Sequence, residues 1–307
     1  MSDLQTHPGL TLLTAREVPL GGPRAMLVRR TLPHRDIRTV GAWCFADHFG
    51  PTAGGAVMAV PPHPHIGLQT VTWLLSGDVE HRDSRGSRQL VHPGELNVMT
   101  AGEGIAHSED TVPTPAGHRS DLHGVQLWTA LPEADRHQEA HFEHHGDLPV
   151  VASAGVRATV LVGDLDGARS PAAASSPLLG AEVVLADGAR AALPLEPDFE
   201  HGVLAVQGEP RVAGVRVPSS ALLHLEAGRR ELPVEGPGRF LLLGGTPFAE
   251  DLLMWWNFVA RDHDEIVTAR DDWEAGRRFG VVDHPAARLA APPLPTTGLR
   301  SRPSRRS

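Results

Sequence analysis

Two short runs, His63-Pro64-His65 and His107-Ser108-Glu109, each carry a pair of metal-binding side chains at positions i and i+2. Residues two apart point to the same face of a β-strand. Two such pairs on neighbouring strands can therefore converge on one ion. Three imidazoles and one carboxylate suit a first-row transition metal; calcium and magnesium prefer shells made of oxygen alone. A His-x-His is common by chance in a chain with 18 histidines; it is the combination of both pairs in a strand-rich stretch that carries weight. Four protein ligands on an octahedral metal leave two positions open, whereas a closed tetrahedral zinc site leaves none. If the open positions are adjacent, a substrate oxygen and dioxygen can bind side by side. The best-known iron triad of this kind has two histidines, not three.

The elements that must hold these pairs read as short strands broken by frequent turns. Ala25 to Leu32 and Val40 to Phe49 lead in, with a turn at Gly21-Gly22-Pro23 and a stop at Gly50-Pro51. Gln69 to Leu75, Val79 to Arg82, Gln89 to His92, Leu96 to Thr100, Ile105 to Glu109 and Leu122 to Thr129 follow, the last within His118 to Pro132. Such spacing marks a sandwich or barrel of antiparallel strands. His63 and His65 share parity with Gln69, Val71 and Trp73 if no bulge intervenes. Gly102-Glu103-Gly104 frees the backbone for a tight turn before the second ligand pair.

Pro132 to Asp147, with histidines at 137, 141, 144 and 145, is polar and reads as a solvated linker or short helix. Beyond it, strands are expected at Val156–Val162, Ala181–Ala186, Gly202–Gln207, Val212–Val217, Ala221–Glu226 and Arg239–Leu243. Leu252 to Val259 forms an apolar strand. Asp262, with Glu265 three residues on, caps a helix that buries Ile266, Ala269 and Trp273 and ends near Gly276. The chain divides into residues 1–148, carrying the metal site, 149–290, a second β unit plus the helix, and 291–307. That last Pro-, Ser- and Arg-rich stretch is expected to be disordered.

Composition removes several chemistries. All 28 basic residues are arginine, and there is no tyrosine. Without lysine there is no Schiff-base chemistry and no P-loop. Cys44 is the single cysteine, so an internal disulfide and a Cys-rich zinc site are excluded; in its apolar run it reads as a buried, inert thiol. A net charge of −9 argues against direct nucleic-acid binding. No apolar run is long enough to span a membrane, and no secretory signal pattern opens the chain, so the expected location is cytoplasmic. A monomer is the default state.

Other candidates rank lower. His81 could orient a ligand from outside the first shell or lie exposed. His48 and His123 read as packing or turn histidines, and His201 and His224 are isolated. Trp73, Met99 and Trp128 could line a pocket, although each suits a core.

These residues resemble the pirin family of the cupin superfamily. The resemblance runs through Asp47-His48-Phe49-Gly50-Pro51, His63-Pro64-His65 and Thr70-Val71-Thr72-Trp73-Leu74-Leu75. It continues with Glu80-His81-Arg82-Asp83-Ser84 and Pro93-Gly94. The run Met99 to Glu109 is the most specific part, followed by His123-Gly124-Val125-Gln126-Leu127-Trp128. It covers roughly residues 24 to 132 and is weaker beyond. Gln69 stands where many members have Glu.

The resemblance implies an all-β fold of two antiparallel cupin β-barrels, a bicupin, with a short C-terminal helix. It implies Fe(2+) held in the first barrel by His63, His65, His107 and Glu109, with Mn, Ni, Co, Cu or Zn as alternatives, and no metal in the second. Some bacterial pirins open quercetin with dioxygen. That implies a dioxygenase acting on a small flavonol-like aromatic substrate, with Glu109 as catalytic base. The alternative is a non-enzymatic, iron-dependent redox sensor that contacts a regulatory protein partner. A metal-dependent isomerase is a third possibility, because a cupin fold alone does not select the chemistry.

Overall fold

The computed structural model describes residues 6–20, 26–52, 58–112 and 121–305. The turn expected at Gly21-Gly22-Pro23, and His118, lie outside them. The fold is all-β and of the cupin class, with one α-helix, His263–Glu274, among the described residues.

Each half of the chain pairs a large antiparallel sheet with a small one. In the first half a seven-stranded sheet runs in the order 141–145, 96–100, 68–76, 123–130, 43–49, 26–32, 16–20. Facing it is a four-stranded sheet in the order 59–65, 105–111, 79–83, 88–91. The second half repeats this with eight strands and four. The sheets are open; they do not close into barrels. Leu10–Leu13 pairs with Leu222–Leu225, so these early residues, expected in the first half, complete the large sheet of the second.

Alternation along the strands builds separate cores. Val71, Trp73, Val125 and Leu127 meet Leu161, Leu204, Leu241 and Leu243 between the two large sheets. The opposite face of the first large sheet packs Phe45, Leu68, Met99 and Trp128 with Ile105 of the small sheet. Burying apolar side chains at roughly 25 cal/mol per Å² on both faces stabilises the central strands from two sides. Polar ties cross the seam: Trp73 Nε1 donates to Glu182 Oε1 at 2.9 Å, and Trp43 Nε1 to the Leu179 carbonyl at 3.1 Å.

Three expectations need correcting. Within 132–147, His141–His145 is a strand, paired along the free edge of Leu96–Thr100. An edge strand keeps polar side chains because one flank faces water, which made it look like linker. Leu252 to Val259 is a hairpin, Leu253–Trp255 against Phe258–Ala260, turned at Trp256, which adopts φ +53°. Finally, 291–305 is laid against the body: Leu252 and Arg302 pair by two backbone hydrogen bonds, and Arg305 reaches Glu200 at 2.7 Å. Composition predicts disorder where few apolar groups are buried, but here arginines anchor the strap to buried carboxylate and backbone.

The helix follows its sequence signals. Asp262 Oδ1 accepts the Glu265 N–H at 2.9 Å, and Ile266, Ala269 and Trp273 are buried. Glu265 bonds the Arg261 N–H, one residue earlier than a capping box requires.

Candidate metal centre

The two strands that carry the candidate ligands lie side by side in the small sheet of the first half. Ala59–His65 runs antiparallel to Ile105–Thr111, with His107 opposite His63. The register shifts between His107 and Glu109, the latter standing opposite Val60. Pro61 and Pro62 occupy the extra length of the partner strand; neither can donate to a ladder, and an irregular stretch is where proline is tolerated. On the other flank Val79–Asp83 places His81 opposite Glu109 and Asp83 opposite His107.

The expected parity with the next strand fails. Gly67 turns at φ +68° between them, and Val71 and Trp73 face the other half of the molecule. Gln69 bonds Thr100, Thr129 and the Ala173 carbonyl, away from the ligand pairs. Trp73 and Met99 are core residues, whereas Trp128 does line the cavity beside the ligand pairs.

His63, His65 and His107 are buried, and their ligating atoms lie within 4.8 Å of one another. Glu109 falls in an overlapping group with His107 and His81. The four candidates are thus adjacent, with Glu109 to one side and His81 joining them. His81, for which the sequence left open a ligand-orienting role or an exposed strand position, is buried here beside them. His201 and His224 join no such group among the described residues. His48 and His123 bond each other elsewhere.

Hydrogen bonds define what these rings offer. The Nδ1–H of His63 donates to the Pro61 carbonyl at 2.9 Å, and that of His65 to the Asn257 carbonyl at 3.0 Å. A carbonyl only accepts, so each Nδ1 holds the proton and each Nε2 presents a lone pair. Burial pushes His63 down to about 4, against its bond to the Pro61 carbonyl, and burial together with neighbouring imidazoles holds His65 and His107 well below the usual imidazole range. They are neutral at pH 7, as metal ligands must be. Burial raises the pKa of Glu109, opposed by His81 and by the Thr72 hydroxyl at 3.3 Å. This donor set fits a divalent transition metal. Cys44 stays outside the chemistry, its thiol pushed up to about 12 by burial.

The cluster opens into a cavity of about 420 Å³, walled by Phe45, Trp128, Trp256, Gln126 and Arg30. Phe45 and Trp128 stack at 3.9 Å, and the Arg30 guanidinium lies 4.2 Å over Phe45. Arg30 is fixed by two bonds to buried Asp47, 2.7 and 2.8 Å long. Ligand cavities of about 300–1,000 Å³ with apolar walls and a few polar groups accept small molecules. The hairpin after residue 252 contributes Trp256 and the carbonyl that orients His65; nothing at sequence level linked it to the site.

Comparison with known proteins agrees with this architecture. The family description "Pirin" matches residues 25–129, and "Pirin C-terminal cupin domain" matches 180–280. A Pseudomonas aeruginosa protein provisionally named as a quercetin 2,3-dioxygenase is 44% identical over 93% of this chain and 91% of its own. The crystal structure of a quercetin 2,3-dioxygenase from Acinetobacter baumannii superposes with a TM-score of 0.90 at 40% identity, covering 96% of this chain and 98% of that one. A bacterial pirin from Escherichia coli, solved in complex with nickel(II), shares the fold at 21% identity and a TM-score of 0.60.

Proposed function

Because the chain belongs to the pirin family, we propose that it is an iron-dependent dioxygenase that opens a flavonol of the quercetin type. The observation that carries this reading is the convergence of buried, neutral imidazoles at the floor of an aromatic-walled cavity. His63, His65, His107 and Glu109 would hold the metal. Bound iron would supply Lewis-acid stabilisation of a substrate oxyanion and the electron-transfer chemistry that dioxygen requires.

The chain's own residues do the rest. Trp128 and Phe45, held together as a stack, form an apolar wall for an aromatic substrate. Arg30 sets a positive charge in the wall, where a flavonol that has lost its 3-hydroxyl proton gains electrostatic support. Glu109 is the acceptor for that proton, because it is the carboxylate that lies beside the imidazoles at the cavity. Thr72, within reach of both Glu109 and Gln126, orients the carboxylate. The relatives named for quercetin dioxygenation support the substrate class.

The test is turnover. Iron-loaded protein is given quercetin, and oxygen uptake and carbon monoxide release are measured beside His63→Ala. Release well above the variant is the expected result. Release no greater than the variant removes the dioxygenase reading; iron-dependent capture of a protein partner would then favour a sensor.

A further inference from the structure

We propose that Asp83 is a positioning residue for the metal centre, fixing through His81 the tautomer that turns the His107 Nε2 lone pair toward the ion. The inference rests on the metal reading above and adds two residues to it.

The chain of bonds starts at a buried carboxylate. Asp83 Oδ1 accepts the backbone N–H of Arg85 at 2.9 Å and of Ser87 at 3.0 Å. Its Oδ2 lies 3.1 Å from His81 Nε2. An ionised carboxylate only accepts, so His81 carries a proton on Nε2, and in the neutral imidazole this leaves Nδ1 bare. His81 Nδ1 lies 3.4 Å from His107 Nδ1. The hydrogen in that contact must come from His107, which leaves His107 bare at Nε2. That atom faces His65 Nε2 at 3.1 Å, already bare because the Asn257 carbonyl takes the His65 proton. Two lone pairs then confront each other, an arrangement that a cation relieves. Phe142 holds the plane of the His81 ring by stacking on it at 4.3 Å and 13°.

The asymmetry of an amide provides the test. In Asp83→Asn the single oxygen is claimed by two backbone N–H groups, so the NH2 must face His81 Nε2. His81 then accepts there and carries its proton on Nδ1. His107 is forced to protonate Nε2, and one ligand is lost with little change of shape. Removing partners of this kind costs about 10- to 100-fold in metal affinity.

Nickel(II) affinity is measured by chelator competition for the wild type, Asp83→Asn, His81→Phe and the double variant, with thermal midpoints alongside. Asp83→Asn should bind at least about tenfold more weakly, and should add less than about twofold in the His81→Phe background. Binding by Asp83→Asn within about twofold of wild type overturns the proposal. So does an equal loss in both backgrounds, which would assign Asp83 to holding its turn. Should the variant fail to fold, nitrogen-15 spectra of zinc-loaded wild type still decide: protons on His81 Nε2 and His107 Nδ1 are expected, and the opposite tautomers refute it. Wild type that takes up no nickel removes the metal reading itself, and this inference with it.

Discussion

His48 and His123 share a hydrogen bond 2.8 Å long between their Nε2 atoms, and His48 is bonded through Nδ1 to Ser220 of the second half, also at 2.8 Å. Burial, then the charge of Arg29, holds His48 down to about 3; burial and Arg239 hold His123 down to about 4. Well above pH ~6.5 neither ring takes up a second proton, folded or unfolded. Below it the unfolded chain takes up protons that the native state refuses, so stability falls as pH drops toward about 4. For His48 alone the loss at pH 5 is on the order of 2 kcal/mol. Urea midpoints of metal-free protein should therefore decline from pH 7 to 5, and His48→Gln/His123→Gln should decline less. An unchanged slope in the double variant would refute this.

The turns that follow one ligand pair and precede the other are tied together: the Gly67 N–H donates to the Gly102 carbonyl at 2.9 Å. Gly102 sits at φ +52°, and a Cβ there would lie 2.0 Å from the Gln138 carbonyl oxygen. Gly102→Ala therefore combines left-handed strain with a backbone clash. It should cost at least ~2 kcal/mol and reduce metal content along with thermal stability. A thermal midpoint equal to wild type would show that the loop yields freely.

Glu200 is buried and accepts bonds from His224, Arg305 and the Gly41 N–H. Burial pushes its pKa up, but these partners outweigh it and hold the carboxylate below the usual range. Arg305→Ala removes that guanidinium and weakens the compensation. Since the guanidinium is partly exposed, the loss should be about 1–2 kcal/mol, less than for a fully buried pair. A thermal midpoint lower by roughly 2–6 °C is expected. An unchanged midpoint, with rapid proteolysis of the strap in the full chain, would return the segment to disorder.

Much of the fold could be read from the chain because local signals and tertiary structure agree there. The strands at Leu96–Thr100 and Val156–Val162 match their alternation and turn residues, and the Asp262 cap places the helix. The i, i+2 pairs could be placed on one face of each strand from sequence because that spacing has one geometric meaning in a strand. Non-local pairing was less legible. Nothing in Leu10–Leu13 says that it crosses to the second half, and the Trp256 turn resembles strand because its neighbours are apolar. His141–His145 is polar since only one flank is covered. The role of Asn257 rests on its carbonyl, which no side-chain pattern encodes.

Glu109 and Trp128 should separate proton transfer from binding. Glu109 is the buried carboxylate beside the imidazoles, and Trp128 stacks on Phe45 in the cavity wall. Glu109→Gln keeps the shape but loses the acceptor, so kcat for quercetin should fall about 10²- to 10⁴-fold. Trp128→Ala removes aromatic surface and should raise KM with a smaller change in kcat. Metal content must be measured in the same preparations. Lost turnover at full metal occupancy assigns Glu109 to the proton; lost turnover that tracks lost metal assigns it to holding the ion. Glu109→Gln with wild-type kcat would remove the carboxylate from both roles, leaving the three histidines to hold whatever ion the cavity serves.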